Sequence, residues 1–259
     1  MKRIVRRLIH GKPSEEAQLI AKGSSFPRYT PTTIDYKGFR IKVTDLLSVA
    51  WQVQEFFAEE RMKFTTSSAS PLIIDCGSNV GVSVLYCKSH HPKARVICFE
   101  PDPTVLACLK ENLAANGITD VECRGEAVWI HGDGVSFGSE GADGGSIMRQ
   151  ENAVHLPSVR LKDVLQQHAA IDLLKIDIEG AEVPVILDCA EELKRVKYLY
   201  VEYHSFPDKK QQLHELLAVL ADQGFRYYIN RIGVHHQHPF AGLEDAAMDM
   251  QLDIHAIRG

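Results

Sequence analysis

The sequence predicts an α/β domain: a mostly parallel seven-stranded sheet with an antiparallel last strand, preceded by an extension of helix, hairpin and helix. Three observations carry this. From residue 72 onward, short apolar runs alternate with stretches of helical period, the pattern of successive strand–helix–strand units. The first run, Ile73-Ile74-Asp75-Cys76, ends in the glycine-punctuated turn Gly77-Ser78-Asn79-Val80-Gly81 before the helical pattern Val82 to Cys87, which reads as a buried strand turning sharply into a helix. Two final runs, 225–229 and 250–257, are separated by a loop and suit antiparallel pairing.

Taken in order, residues 1–70 form the extension and 71–259 the main domain. The start, Met1 to His10, is basic and amphipathic without a long apolar core or a small-residue cleavage site, so it reads as a solvated helix face rather than a signal peptide. A short helix runs through Glu15 to Ile20, and a Gly/Ser/Pro stretch follows from Gly23 to Pro31. Thr33 to Val43 alternates at period two around Lys37-Gly38, a hairpin signature. Leu46 to Met62 places Leu46, Val49, Ala50, Val53, Phe56 and Phe57 at helical spacing, consistent with a helix laid on the sheet. Strands are then expected at 72–76, 95–99, 121–128, 172–177 and 198–203, and helices at 81–90, 103–116, 183–195 and 209–223. The glycine-rich stretch His131 to Met148 reads as a short hairpin with a mobile loop, either closing over substrate or an inert insertion.

At 259 residues with 45% hydrophobic and 24% charged content, the chain is long enough for a large core and ordinary for a soluble protein. A formal charge of −5 argues against an extended nucleic-acid surface, which needs clustered Lys and Arg. No apolar run approaches the ~18 residues of a membrane span. Cys76, Cys87, Cys98, Cys108, Cys123 and Cys189 lack C-x-x-C spacing and read as reduced thiols, which points to a cytoplasmic protein.

The turn after Cys76 resembles a dinucleotide loop, but Asn79 stands where the second glycine would let a pyrophosphate approach. Asp75 would repel a phosphate there. Asp75, Gly77, Ser78, Asn79 and Gly81 therefore suit a ligand with positive charge, such as S-adenosyl-L-methionine with its ammonium and sulfonium. The next strand ends in Phe99-Glu100-Pro101-Asp102, which places Glu100 to accept from ribose hydroxyls, with Pro101 beside it, and lets Asp102 cap the following helix. Gly125-Glu126-Ala127 lies where an adenine would sit. Two readings stand for Glu126, an acceptor for the adenine amino group and an exposed loop charge.

Leu174-Lys175-Ile176-Asp177-Ile178-Glu179-Gly180-Ala181-Glu182 delivers Asp177 and Glu179 to a strand's carboxyl end, the ligand edge of open α/β sheets. The next strand ends in Val201-Glu202-Tyr203-His204, with Glu202 and His204 on one face. Together with the glycine turn and Phe99-Glu100-Pro101, these stretches resemble the FkbM family of S-adenosylmethionine-dependent methyltransferases over residues 72–257. The resemblance implies a Rossmann-like class I methyltransferase fold and O-methylation of hydroxyls on sugars, polyketides or related small molecules. It places Asp75, Gly77, Asn79, Gly81 and Glu100 on the cofactor side, and Asp177, Glu179, Glu202 and His204 near the transfer site.

The residues suggest a chemistry on their own. The sulfonium methyl is already activated, so the protein must align an in-line attack and remove the acceptor's proton. An unperturbed imidazole titrates near ~6.5, which makes His204 the candidate general base, with Asp177 or Glu202 orienting it. A hydrogen-bonded histidine at a strand end is the plain alternative. Two carboxylates and a histidine also suit a hard divalent ion. His235, His236 and His238 stand in a Pro-containing loop without metal-site spacing and read as surface. The competing function classes are an NAD-dependent oxidoreductase, an N-methyltransferase on a sugar or peptide amine, and a non-catalytic adenosyl-ligand binder.

Overall fold

The computed structural model describes residues 13–138, 154–233, 236–242 and 248–259, with no side-chain description at 241–242. The basic start, the stretch 139–148 of the glycine-rich segment, and His235 lie outside the described residues. Helix α1 (Glu15–Ser25) is capped by Ser14, whose hydroxyl accepts from Ala17 N at 3.1 Å. Strands β1 (Thr32–Tyr36) and β2 (Phe39–Val43) pair as a hairpin whose turn residues Lys37 and Gly38 both have positive φ, 44° and 86°, the twist-matched geometry of a tight hairpin. Helix α2 (Leu46–Val53) starts at Asp45, which accepts from Ser48 N and its hydroxyl. It then widens into a π-helical turn, Gln54–Ala58, so the expected helix stops short of Met62.

The main sheet has the order β12-β13-β11-β10-β3-β4-β5. In chain order these are β3 (Leu72–Cys76), β4 (Arg95–Phe99), β5 (Val121–Arg124), β10 (Ile171–Ile176), β11 (Val196–Ser205), β12 (Phe225–Arg231) and β13 (Met250–Arg258). Helix α3 (Val82–His90) links β3 to β4, α4 (Pro103–Ala115) links β4 to β5, and α7 (Leu213–Asp222) precedes β12. Neighbouring strands are parallel except β13, which runs antiparallel to both β11 and β12. This is the seven-stranded Rossmann-like architecture expected from the sequence.

β3 is buried along its whole length, and β10 is buried on both faces apart from Asp172, as apolar runs in a two-sided sheet require. One core lies between the sheet and the extension with α3 and α4; the other lies against α7 and the elements after β5. Asn112 on α4 donates to the carbonyls of Lys42 at 2.8 Å and Val80 at 2.9 Å, so a single side chain ties the hairpin to the turn after β3.

Two expected elements differ. The third strand stops at Arg124 because its partner β4 runs out at Phe99, and Glu100 N closes the ladder on Arg124 O at 3.0 Å. Residues 127–129 instead form β6 (Ala127–Trp129), paired in parallel with β9 (Ser158–Arg160) outside the sheet. Between them β7 (Val135–Phe137) pairs with β8 (Val154–Leu156), and α5 (Leu161–Gln166) leads into β10. The expected helix 183–195 is α6 (Glu182–Asp188) followed by a 3-10 turn, Ala190–Arg195. Among the described residues, a short helix α8 (Pro239–Gly242) completes the set, and no helix is long and apolar enough to cross a membrane.

Candidate functional site

The chain winds outward from β3 through β4 to β5, then returns to place β10 on the other side of β3. That change of direction is where open α/β sheets bind ligands. Cys76 and Ile176 are register partners, so Gly77 and Asp177 leave the sheet side by side. A Cβ on Gly77 would lie 1.8 Å from the Asp177 carbonyl oxygen, and its φ is +86°; only glycine fits both.

The turn is held by its own backbone. Gly77 N and Ser78 N both donate to Phe99 O at 3.0 Å, and Gly81 N donates to Ser78 O at 2.9 Å. Asn79 takes a left-handed φ of 49°, a conformation asparagine tolerates better than most residues. Beneath the turn, Glu100 accepts from Asn79 N at 3.0 Å and from Asp102 N at 2.9 Å. Burial pushes its carboxyl up to about 7, against these hydrogen bonds. Each oxygen keeps a further lone pair for a ligand hydroxyl.

The ends of β10 and β11 are organised by charge. Lys175 is 1% exposed, donates to Gly77 O at 2.8 Å, and lies 3.3 Å from Asp75 Oδ1 and 3.2 Å from Asp177 Oδ2. Burial opposes its charge, but the carboxylates of Asp177 and Asp75 outweigh that and raise its pKa. After Asp177 the backbone turns through positive φ at Glu179 and Gly180 into α6. Glu182, fully buried, accepts from Ile178 N at 3.2 Å and Gly180 N at 2.9 Å, and contacts His204 Nδ1 at 3.1 Å. His204 Nε2 lies 3.5 Å from Glu202 Oε1 and 3.7 Å from Glu179 Oε2.

Burial pushes Asp177 up to about 7 against Lys175, and Glu179 up to about 8 against His204. Burial likewise opposes a charged imidazole, but the Glu179 and Glu182 carboxylates outweigh it and hold His204 well above its ordinary value. The neutral imidazole expected at 204 therefore meets an environment that favours the imidazolium. Ligand atoms of Asp177, Glu179 and His204 all lie within 4.8 Å of one another, a set that could hold a metal ion.

A cavity of about 420 Å³ joins these parts, and Gly77, Ser78, Asn79, Asp177, Glu179 and Glu202 all line it. His204 sits behind Glu179 and Glu202, and Gly81 caps α3. Asp75 is not on the wall: it is 2% exposed and accepts from the Ser83 hydroxyl at 2.5 Å, so Lys175 and Ser83 stand between it and a ligand. Glu126 pairs with Arg124 at 2.7 Å, Ala127 is buried in β6, and Pro101 is half-buried; none of the three lines this cavity. Sequence reasoning passed over Lys175 and Glu182, though a lysine inside an otherwise apolar strand was a visible signal. Arg61 and Asp253, paired at 2.9 Å across most of the chain, carried none.

The cavity wall holds carboxylates at Glu55, Asp177, Glu179 and Glu202 against two cations, Arg61 and Lys175, both already in ion pairs. Residues 75–227 match the methyltransferase FkbM domain model. The chain belongs to the FkbM methyltransferase family. It is 26% identical to methyltransferase sdnD of Sordaria araneosa over 239 residues, covering 76% of this chain and 89% of that protein. It is 28% identical to the 2-O-methyltransferase NoeI of Sinorhizobium fredii over 167 residues, covering 56% of this chain and 66% of NoeI. A solved S-adenosylmethionine-dependent methyltransferase from Agrobacterium tumefaciens shares the fold with a TM-score of 0.53 at 10% identity, over 90% of this chain and 70% of that one.

This FkbM-family chain is an S-adenosylmethionine-dependent methyltransferase, which removes the nicotinamide alternative. Its residues fit the cofactor: Gly77 to Gly81 with Glu100 beneath them offer a close backbone and a carboxylate for ribose hydroxyls.

Proposed function

We propose that this enzyme methylates a hydroxyl oxygen of a small-molecule acceptor, a sugar, polyketide or related metabolite, with His204 at the reacting end. The observation that carries this reading is the imidazole–carboxylate cluster of His204, Glu179 and Glu202 beside the cofactor turn, within and behind one cavity wall. The bound cofactor supplies an activated methyl group. The protein aligns the acceptor and takes up its proton. The proton passes to the His204–Glu179 pair, in which His204 is the base when Glu179 holds the shared proton. Burial at Glu179, pushed up to about 8, makes that division of the proton accessible near neutral pH. Gly77, Ser78, Asn79 and Gly81 with Glu100 beneath them form the cofactor side, and Asp75 supports it from behind Lys175 and Ser83. The described part of the extension, from residue 13 to 70, packs on the methyltransferase domain. The name of NoeI, a 2-O-methyltransferase, supports oxygen as the acceptor atom.

The test is calorimetry with S-adenosylmethionine followed by transfer of labelled methyl to a panel of hydroxyl acceptors. His204→Ala lowers kcat by about 10²–10⁴-fold, the usual worth of a positioned acid or base, with cofactor affinity retained. Near-normal turnover in that variant would sink the assignment.

A cation-assisted version of the same transfer is favoured by one observation, the mutual proximity of Asp177, Glu179 and His204 within 4.8 Å. A divalent ion there would acidify the acceptor hydroxyl, and the Nδ1 contact with Glu182 would orient the ring as carboxylates do behind metal-bound histidines. Activity lost on chelation and restored by added divalent ion supports this version; activity that survives exhaustive chelation removes it.

A further inference from the structure

The cavity wall facing the β10 and β11 ends comes from α2 and its π-helical turn, both before the family match begins at residue 75. Trp51, Gln52 and Glu55 line the cavity from that side. Trp51 is 50% exposed although its neighbour Ala50 and nearby Val53 are completely buried, so the helix presents its largest aromatic surface to the open side. The surrounding groups are hydrogen-bonding ones: Gln52, Glu55, Glu202 and Gln251. The turn that follows Trp51 is firmly fixed. Arg61 Nη1 lies 2.9 Å from Asp253 Oδ2 and 3.4 Å from Glu55 Oε1. Phe57 meets Tyr36 and Tyr86 edge-on, each at 5.5 Å between ring centroids.

Resting on the O-methylation reading, we infer that Trp51 is the platform on which a pyranose ring of the acceptor stacks. A flat, half-wet indole ringed by amides and carboxylates matches a sugar ring, which has an apolar C–H face and a rim of hydroxyl donors. Gln52, Glu55, Glu202 and Gln251 can exchange hydrogen bonds with the hydroxyl rim of such a ring. The extension thus selects the acceptor while the glycine turn holds the cofactor.

The chain has two tryptophans, so in a Trp129→Phe background the emission reports Trp51 alone. With S-adenosylhomocysteine saturating, methyl pyranosides of the common hexoses and deoxyhexoses should quench or shift that emission. Trp51→Ala should raise KM for a sugar acceptor by roughly tenfold with kcat little changed, the pattern of lost ground-state binding, and Trp51→Phe should recover most of it. No response to any pyranoside overturns the inference. So does an equal loss of S-adenosylhomocysteine affinity in Trp51→Ala, because the wall would then serve the cofactor. Pyranoside binding at Trp51 without oxygen methylation would instead overturn the proposed reaction and leave the platform standing.

Discussion

At the turn after β3 the chain is tied down by backbone N–H groups donating to Phe99 O and to the Glu100 carboxyl. At the ends of β10 and β11, a few ångströms across the same cavity, position is set by charges: Lys175 between two aspartates, and His204 among three glutamates. The first region is held mainly by backbone hydrogen bonds. The second has more carboxylates than cations, so its shape and charge depend on what binds and on pH. On the proposed reaction, a methyltransferase has use for both, a stiff cradle beside the unreacting part of the cofactor and a floor of titratable carboxyls at the transfer side.

The comparison breaks most completely at Lys175, where the two regions meet. Lys175→Met removes the cation shared by Asp75 and Asp177 and the donor to Gly77 O. Leaving buried carboxylates without their partner costs about 3–5 kcal/mol, so the urea midpoint should fall steeply with an unchanged slope. A variant as stable as wild type would mean that the aspartates are solvated and the charged floor is only apparent.

Glu182→Gln tests the transfer side alone. Glu182 holds His204 Nδ1 while capping the turn at Gly180, so it acts as a positioning residue. Loss of a carboxylate that orients a histidine costs about 10–100-fold in function, and kcat should fall by that amount while S-adenosylhomocysteine still binds. The readout that separates positioning from simple damage is the pH profile. Without the Glu182 charge the His204 pKa drops toward its ordinary value, and the acidic limb of kcat moves to lower pH. An unshifted limb would assign Glu182 to the fold only.

The difference between the regions also sets what the sequence could reveal. The strand–turn–helix at Gly77 was legible because backbone geometry writes itself as residue type: glycine at positive φ, asparagine in the left-handed region, an apolar run before them. Glu100 was legible for the same reason, since a strand end fixes its distance from the turn. Asp75 was misplaced, because spacing says that a carboxylate is near the turn and cannot say that it points inward onto Lys175 and Ser83. His204 was found by its register with Glu202, but its protonation depends on Glu179 and Glu182, which approach from a different element. The break at Arg124 depended on where the neighbouring strand ends, a tertiary fact with no local signal.

The smallest predicted effect is also the most direct measure of the unbalanced floor. S-adenosylmethionine carries one more positive charge, at sulfur, than S-adenosylhomocysteine. Burial holds Asp177 at about 7 and Glu179 at about 8 in the free enzyme, so near neutral pH part of this carboxyl population is protonated. A bound cation favours the ionised forms, lowers those pKa values and releases protons. By linkage, affinity for the cation must then rise with pH until the groups are already ionised in the free enzyme, by at most about tenfold per pH unit for each proton released. Between pH 6 and 8 the affinity of S-adenosylmethionine should therefore climb relative to that of S-adenosylhomocysteine. Calorimetry in buffers of different ionisation enthalpy should show the larger proton release for the sulfonium. Parallel curves for the two ligands would mean that the sulfonium does not face the acidic floor, and the distinction between a backbone-held cradle and a charged transfer side would fail at the point where it matters for catalysis.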